Sequence, residues 1–184
     1  MKPTILFIFT VLLSPIFAQK APNMPQKHMG ISLGSSYLSG LGTISVGPSL
    51  FYYSNQHKFE LGFQYHPANV KFQHKYGGEF LYTYYMDGID KRFNPFLISS
   101  LTVTRNNRFN TMWSGDYRRK EVNAALLVGL GCQIKLSDKA FIGASISMGT
   151  STEVVDAVND NYSYPMFLHY NFERAARINI GYRL

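Results

Sequence analysis

About eight segments of this 184-residue chain alternate bulky apolar residues with small or polar ones at a period of two. Successive side chains of a strand point to opposite faces, so this period demands β-strands and excludes a helical fold. In MGISLGSSY, Met29, Ile31, Leu33 and Tyr37 share one face against Ser32, Gly34 and Ser36. TISVGPSLFYY sets Ile44, Val46, Leu50 and Tyr52 against Thr43, Ser45, Gly47 and Ser49, and FELGFQYH sets Phe59, Leu61, Phe63 and Tyr65 against Glu60, Gly62, Gln64 and His66. EFLYTYYM reads with Phe80, Tyr82 and Tyr84 on the apolar face, whereas FLISSLTVT fits either phase. EVNAALLVGLGCQIK places Val122, Ala124, Leu126, Val128, Leu130, Cys132 and Ile134 opposite Asn123, Gly129, Gly131, Gln133 and Lys135. AFIGASISMGT alternates Ile142, Ala144, Ile146 and Met148 with Gly143, Ser145, Ser147 and Gly149, and RINIGYRL carries the pattern to Leu184.

Each segment is close to the roughly 9–11 residues that a tilted strand needs to cross a bilayer. The short links SNQHK, DGIDKRFNP and LSDK take turns with links that are mostly longer: SGLG, PANVKFQHKYGG, residues 106–120 and residues 151–172. Short turns on one side and long loops on the other predict a closed antiparallel up-and-down transmembrane β-barrel of about eight strands. A soluble lipocalin-like binder has the same alternation with its apolar face inward. Here the second face is Gly, Ser, Asn, Gln and a few charges, so enclosing it would leave the Leu and Ile face in water. The bulky face is therefore expected to meet lipid. The composition agrees, with only 16% charged residues against roughly 25% in soluble domains.

MKPTILFIFTVLLSPIFAQ has the layout of a secretory signal peptide: Lys2, an apolar run from Ile5 to Leu13, a Ser14-Pro15 break and Ala18. The expected organisation is a signal peptide over 1–18, an N-terminal extension over 19–28 and the barrel over 29–184. The run is short for a membrane-spanning helix, and no later stretch holds 18 consecutive apolar residues, so a membrane-embedded form crosses by strands. The single Cys132 excludes an internal disulfide framework.

A signal peptide, about eight alternating strands and a last strand with Tyr182 and Leu184 two apart resemble the small outer-membrane β-barrel proteins of Gram-negative bacteria, of the Bacteroidetes type. The resemblance covers the mature chain and brings no catalytic motif with it. It implies that the last strand is the signal read by the barrel-assembly machinery, with Ile178, Ile180, Tyr182 and Leu184 in the required register; Leu184 stands where a terminal Phe is commoner. It also implies residence in the cell outer membrane. The expected role is structural or binding, either alone or as a subunit of a larger outer-membrane protein complex.

Eight strands leave just enough room for side chains to fill the bore. Glu60, Gln64, His66, Gln133, Lys135, Arg177 and Arg183 are expected inside, with glycine and serine positions of the first and seventh strands making space. An unpaired buried charge costs several kcal/mol, so Glu60 is expected to pair with an interior base such as Arg177. A lipid-modifying barrel enzyme of the lipid A deacylase or acyltransferase type is the alternative, and it needs a nucleophile, a base and an orienting acid. Of the histidines at 28, 57, 66, 74 and 169, only His66 sits near Glu60 and the membrane edge. No His-x-Ser arrangement of the deacylase kind and no metal-ligand spacing is present, so neither catalysis nor a cofactor is expected.

The most individual stretch is NNRFNTMWSGDYRRK, where Arg108, Arg118, Arg119 and Lys120 interleave with Phe109, Trp113 and Tyr117. Such a mixture can bind nucleic acid, but an exported loop meets lipopolysaccharide headgroups instead, and Trp and Tyr favour the membrane interface. Attraction to Glu153, Asp156 and Asp160 of the last long loop is the simpler alternative. The net charge of +7 reflects scattered loop and lumen bases rather than a nucleic-acid surface.

Overall fold

The computed structural model describes residues 27–39, 42–67, 74–86, 88–89, 91–112, 115–159, 162–163 and 167–184, without the side chains of 27, 43, 74, 106–120 and 155–169. The expected signal peptide and most of the expected extension thus lie outside the described residues. Nine strands follow in order: β1 (Lys27–Leu38), β2 (Thr43–Ser54), β3 (His57–His66), β4 (His74–Tyr85), β5 (Phe93–Met112), β6 (Gly115–Lys135), β7 (Ala140–Asn159), the two-residue β8 (Tyr162–Ser163) and β9 (Phe167–Arg183). β1 starts two residues earlier than the sequence boundary at Met29.

β1 to β8 pair antiparallel in sequence order, β7 also pairs with β9, and β9 returns to β1, so eight strands close a barrel and β8 only extends the hairpin beyond it. The register climbs as it goes round. From Gly30 it passes through Phe51, Glu60, Leu81, Ser100, Leu127 and Gly149 to Glu173, two residues beyond the last β1–β9 pair, Leu38↔Ala175. That stagger is what tilts the strands of a closed barrel.

One end of the barrel, the turn end, holds both described termini and the tight links at 55–56, 86–92 and 136–139. Asn55 takes a left-handed backbone (φ 57°) in the first of these, where a short polar side chain is tolerated. The other end, the loop end, is taller on one side. β5, β6, β7 and β9 are 20, 21, 20 and 17 residues long, against 10 to 12 for β1–β4. The expected loops at 106–120 and 151–172 are therefore largely strand: β5 runs to Met112, β6 begins at Gly115, and β7 and β9 reach Asn159 and Phe167. Once strands leave the bilayer their outward face need no longer be apolar, so the alternation that marks them disappears while the ladder continues.

The outward face is bulky on every strand, including Ile31, Leu33, Leu50, Leu61, Leu101, Leu126, Leu130, Ile146, Ile178 and Ile180. Tyr52, Phe59, Tyr82, Phe93 and Tyr182 ring it near the turn end, and Tyr37, Tyr65, Tyr76, Tyr170 and Phe172 near the loop end. Among the described residues the outward face between the two rings carries one charged side chain, Arg174, which lies against Phe172 at the loop-end edge. In β4, Phe80 and Tyr82 lie on that face; Tyr84 shares their parity but is covered, with its hydroxyl donating to Gln56 Oε1 at 3.4 Å and its ring against His57. β5, which fitted either phase, turns Leu101 and Val103 out and Phe96, Ile98, Ser100, Thr102 and Thr104 in.

Candidate functional site

The lumen is the only region where charged side chains are brought together in the interior among the described residues, and it is built in layers. At the turn end the strands turn Phe51, Tyr53, Tyr85, Phe96 and Phe141 inward. Three of these rings lie across the ladder from a glycine: Phe51 pairs with Gly30, Phe96 with Gly131 and Phe141 with Gly181. A Cβ at Gly30, Gly131 or Gly181 would come within 2.2, 2.3 and 2.1 Å of the facing ring, so each ring occupies its glycine's side-chain space. The rings meet edge to face, with centroids 5.1 Å apart for Phe51–Tyr53 and 5.5 Å for Phe51–Phe141 and Tyr85–Phe96. This is the favoured arrangement of aromatic quadrupoles. The Tyr53 and Tyr85 hydroxyls donate to Gln133 Oε1 at 3.0 and 2.7 Å. Arg183 stacks its guanidinium 5.2 Å from the Tyr53 ring and donates through Nη2 to the Ile89 carbonyl at 3.0 Å.

Above this layer sits an ionic one. Glu60 Oε2 is 2.6 Å from Lys58 Nζ, and Glu60 Oε1 is 3.3 Å from Arg177 Nη2 while accepting hydrogen bonds from Ser32 Oγ (2.6 Å) and Ser49 Oγ. Arg177 Nη1 donates to Glu79 Oε2. The guanidinium has space because position 34 is glycine; a Cβ there would lie 2.9 Å from Arg177 Nη2. Lys58 links the two layers, its ammonium 4.8 Å from the Phe51 ring and 5.0 Å from the Phe141 ring. Charges taken from water are tolerated when paired and supported by further hydrogen bonds, and this cluster meets both conditions.

Towards the loop end, Leu38, Ala125, Leu127 and Ala175 make an apolar patch on one wall. Gln64, His66, Lys75 and Thr104 line the other, all buried. Among the described residues, cavities of about 10 and 20 Å³ lie within the bore between these layers.

The polar residues singled out from the sequence thus occupy different heights. Glu60 and Arg177 meet at mid-height, Gln133 and Arg183 belong to the aromatic layer, and Gln64 and His66 lie near the loop end. Lys135 departs from the expected lumen position: it is partly exposed at the turn-end rim, 2.9 Å from Asp138 Oδ1. Ile178, Ile180, Tyr182 and Leu184 all face outward on or just after β9, and the Leu184 amide donates to the Met29 carbonyl at 2.9 Å. The side chains of Arg108, Tyr117, Arg118, Arg119 and Lys120, and Trp113 altogether, lie outside the described residues. Sequence reasoning missed Lys58, Glu79 and the five rings of the aromatic layer. The signal for the layer was present, since Phe51 and Tyr53 continue the parity of Ser45, Gly47 and Ser49.

Fold and lumen together define a class: a small closed eight-stranded antiparallel barrel, apolar outside and filled inside. Among solved structures the chain is similar to the N-terminal β-barrel domain of Pseudomonas aeruginosa OprF, at 14% identity over 88% of this chain and 100% of that one, with a TM-score of 0.57. It is also similar to Neisserial surface protein A (NspA), at 14% identity over 88% and 99% of the two chains, with a TM-score of 0.52. The outer membrane enzyme PagL matches more loosely, at 12% identity over 83% and 97%, with a TM-score of 0.39. At these identities the likeness is one of fold. No protein-family model and no curated protein matches the sequence.

Proposed function

We propose that this chain is a small non-enzymatic barrel of the outer membrane of a Gram-negative, Bacteroidetes-type cell, exported by a cleaved signal peptide. Its role is structural or binding, either alone or as a subunit beside a larger outer-membrane assembly. The observation that carries this reading is the conjunction of a bulky apolar outward band, flanked by two aromatic rings and charged only at its loop-end edge, with a bore filled by paired charges and packed rings. An outward band of this kind is what lipid requires of a barrel. A soluble binder would leave Leu61, Ile146 and their neighbours in water.

In this reading the turn end is periplasmic and the loop end extracellular. Arg105 and Arg174 are exposed near the loop-end ring, with the Arg174 guanidinium 5.6 Å from the Phe172 ring, a pairing suited to phosphorylated lipopolysaccharide headgroups. The basic aromatic stretch from Arg108 to Lys120 would reach the same layer. The outward set Ile178, Ile180, Tyr182 and Leu184 would be read by the barrel-assembly machinery. The placement of His66 favours a non-catalytic role: it is 2% exposed inside the lumen, and neither ring nitrogen has a hydrogen-bond partner among the described residues.

Membrane fractionation with a heat-dependent mobility shift on a detergent gel tests the location. Heat-shifting protein in the outer-membrane fraction is expected, and unshifted periplasmic protein would contradict it. Mass analysis of lipid A from cells with and without the protein tests the chemistry. Identical spectra are expected, whereas a change abolished by His66→Ala would establish the enzyme instead.

A further inference from the structure

The loop-end wall of the lumen carries four buried polar atoms without a hydrogen-bond partner among the described residues: Gln64 Oε1, Thr104 Oγ1, and Nδ1 and Nε2 of His66. The three side chains are at most 4% exposed. They share one patch of sheet, because Gln64 and His66 point inward from β3, Thr104 points inward from β5, and the β4 residues between them are Gly77 and Lys75. Buried polar atoms in folded proteins are nearly always bonded to protein or to ordered water.

The mixture of demands narrows the occupant. A carboxamide oxygen only accepts, a hydroxyl donates as well as accepts, and a neutral imidazole offers one N–H and one lone pair. A metal cation satisfies lone pairs alone and an inorganic anion satisfies donors alone. Water satisfies both. There is also room for one at Gln64: a cavity of about 20 Å³, lined on its polar side by Gln64, Glu79, Ser100, Thr102 and Arg177 and on its apolar side by the Leu38–Leu127 wall, exceeds the roughly 10–15 Å³ that one water needs.

We propose that the loop-end half of the lumen is a built hydration site. One ordered water sits in the cavity on Gln64, beside the Glu79–Arg177 ion pair, and further waters on Thr104 and His66 continue it towards the loop end. The layer of Phe51, Tyr53, Tyr85, Phe96 and Phe141 closes the other side, so the site fills from one end only.

Two measurements on the full barrel in lipid discs test this. Water-to-protein NMR magnetisation transfer should give a direct contact at the Gln64 carboxamide of the wild type; no contact there would overturn the proposal. The near-isosteric Thr104→Val change should lower the midpoint of thermal unfolding by about 2–4 °C if it removes a bonded hydroxyl. An unchanged or raised midpoint would mean that the hydroxyl had no partner, and would also overturn the proposal. If that variant fails to fold, the wild-type NMR contact still decides.

Discussion

The aromatic layer and the ionic layer fill the same bore by different physics. Phe51, Tyr85, Phe96 and Phe141 pack as a domain core does, each contact small and exchangeable, with glycines cut to fit the rings. Glu60, Glu79, Lys58 and Arg177 are instead interdependent, since each carboxylate is tolerable only while its cation stays in place. The first layer should accept repacking and the second should not, although they lie one above the other in the same bore.

The contrast is tested most severely at Arg177. Arg177→Met strands Glu79 and removes one of the two cations at Glu60, and should cost about 3–5 kcal/mol in denaturant unfolding from lipid vesicles. Arg177→Met combined with Glu79→Gln should recover much of that loss. A single variant as stable as the wild type would mean that the cluster is wet enough for charges to stand alone. Next in size is Gly181→Ala, whose Cβ collides with the Phe141 ring. Overpacking of this kind costs about 1–3 kcal/mol, and adding Phe141→Leu should relieve it, which the same unfolding assay reads. Phe96→Leu keeps apolar bulk in the aromatic layer and should cost less than about 1.5 kcal/mol; a loss as large as that of Arg177→Met would erase the distinction between the layers.

The smallest effect is expected outside the bore. Asp138, fully exposed in the 136–139 turn, is held below the usual carboxylate range by its hydrogen bond and charge pairing with Lys135. A carboxylate with a lowered folded pKa contributes stability above its unfolded pKa and loses it as pH falls through the folded value. Asp138→Asn should therefore be slightly less stable than the wild type at neutral pH and indistinguishable from it in acid. A difference that grew on acidification would contradict that sign.

The parity of each strand was legible in the sequence wherever lipid imposed it, because Leu61 or Ile180 cannot exchange faces with Glu60 or Gly181 without cost. β5 was not, since Ile98, Leu101 and Val103 are apolar on both faces: Ile98 belongs to the aromatic layer and the other two meet the outside. The outer lengths of β5 to β9 were illegible for the opposite reason, as no lipid imposes a pattern there. Within the bore, residue type and inward direction could be read, but height could not. Register decides height, and register separated Lys135 at the rim from Glu60 and Arg177 at mid-height. The rings were hidden because attention to a small, polar second face passes over Phe51, Phe96 and Phe141, which are large and sit opposite glycines that only the pairing identifies.

The central claim is that the bulky face meets lipid. Spin labels placed singly at Leu61, Leu126 and Ile146, in a Cys132→Ala background and in reconstituted vesicles, test it by collision with oxygen and with a water-soluble nickel chelate. The account predicts high oxygen and low nickel accessibility at all three sites, and the reverse at Asp138 in the turn. Nickel accessibility at Leu61, Leu126 and Ile146 equal to that at Asp138 would place the face in water and contradict it.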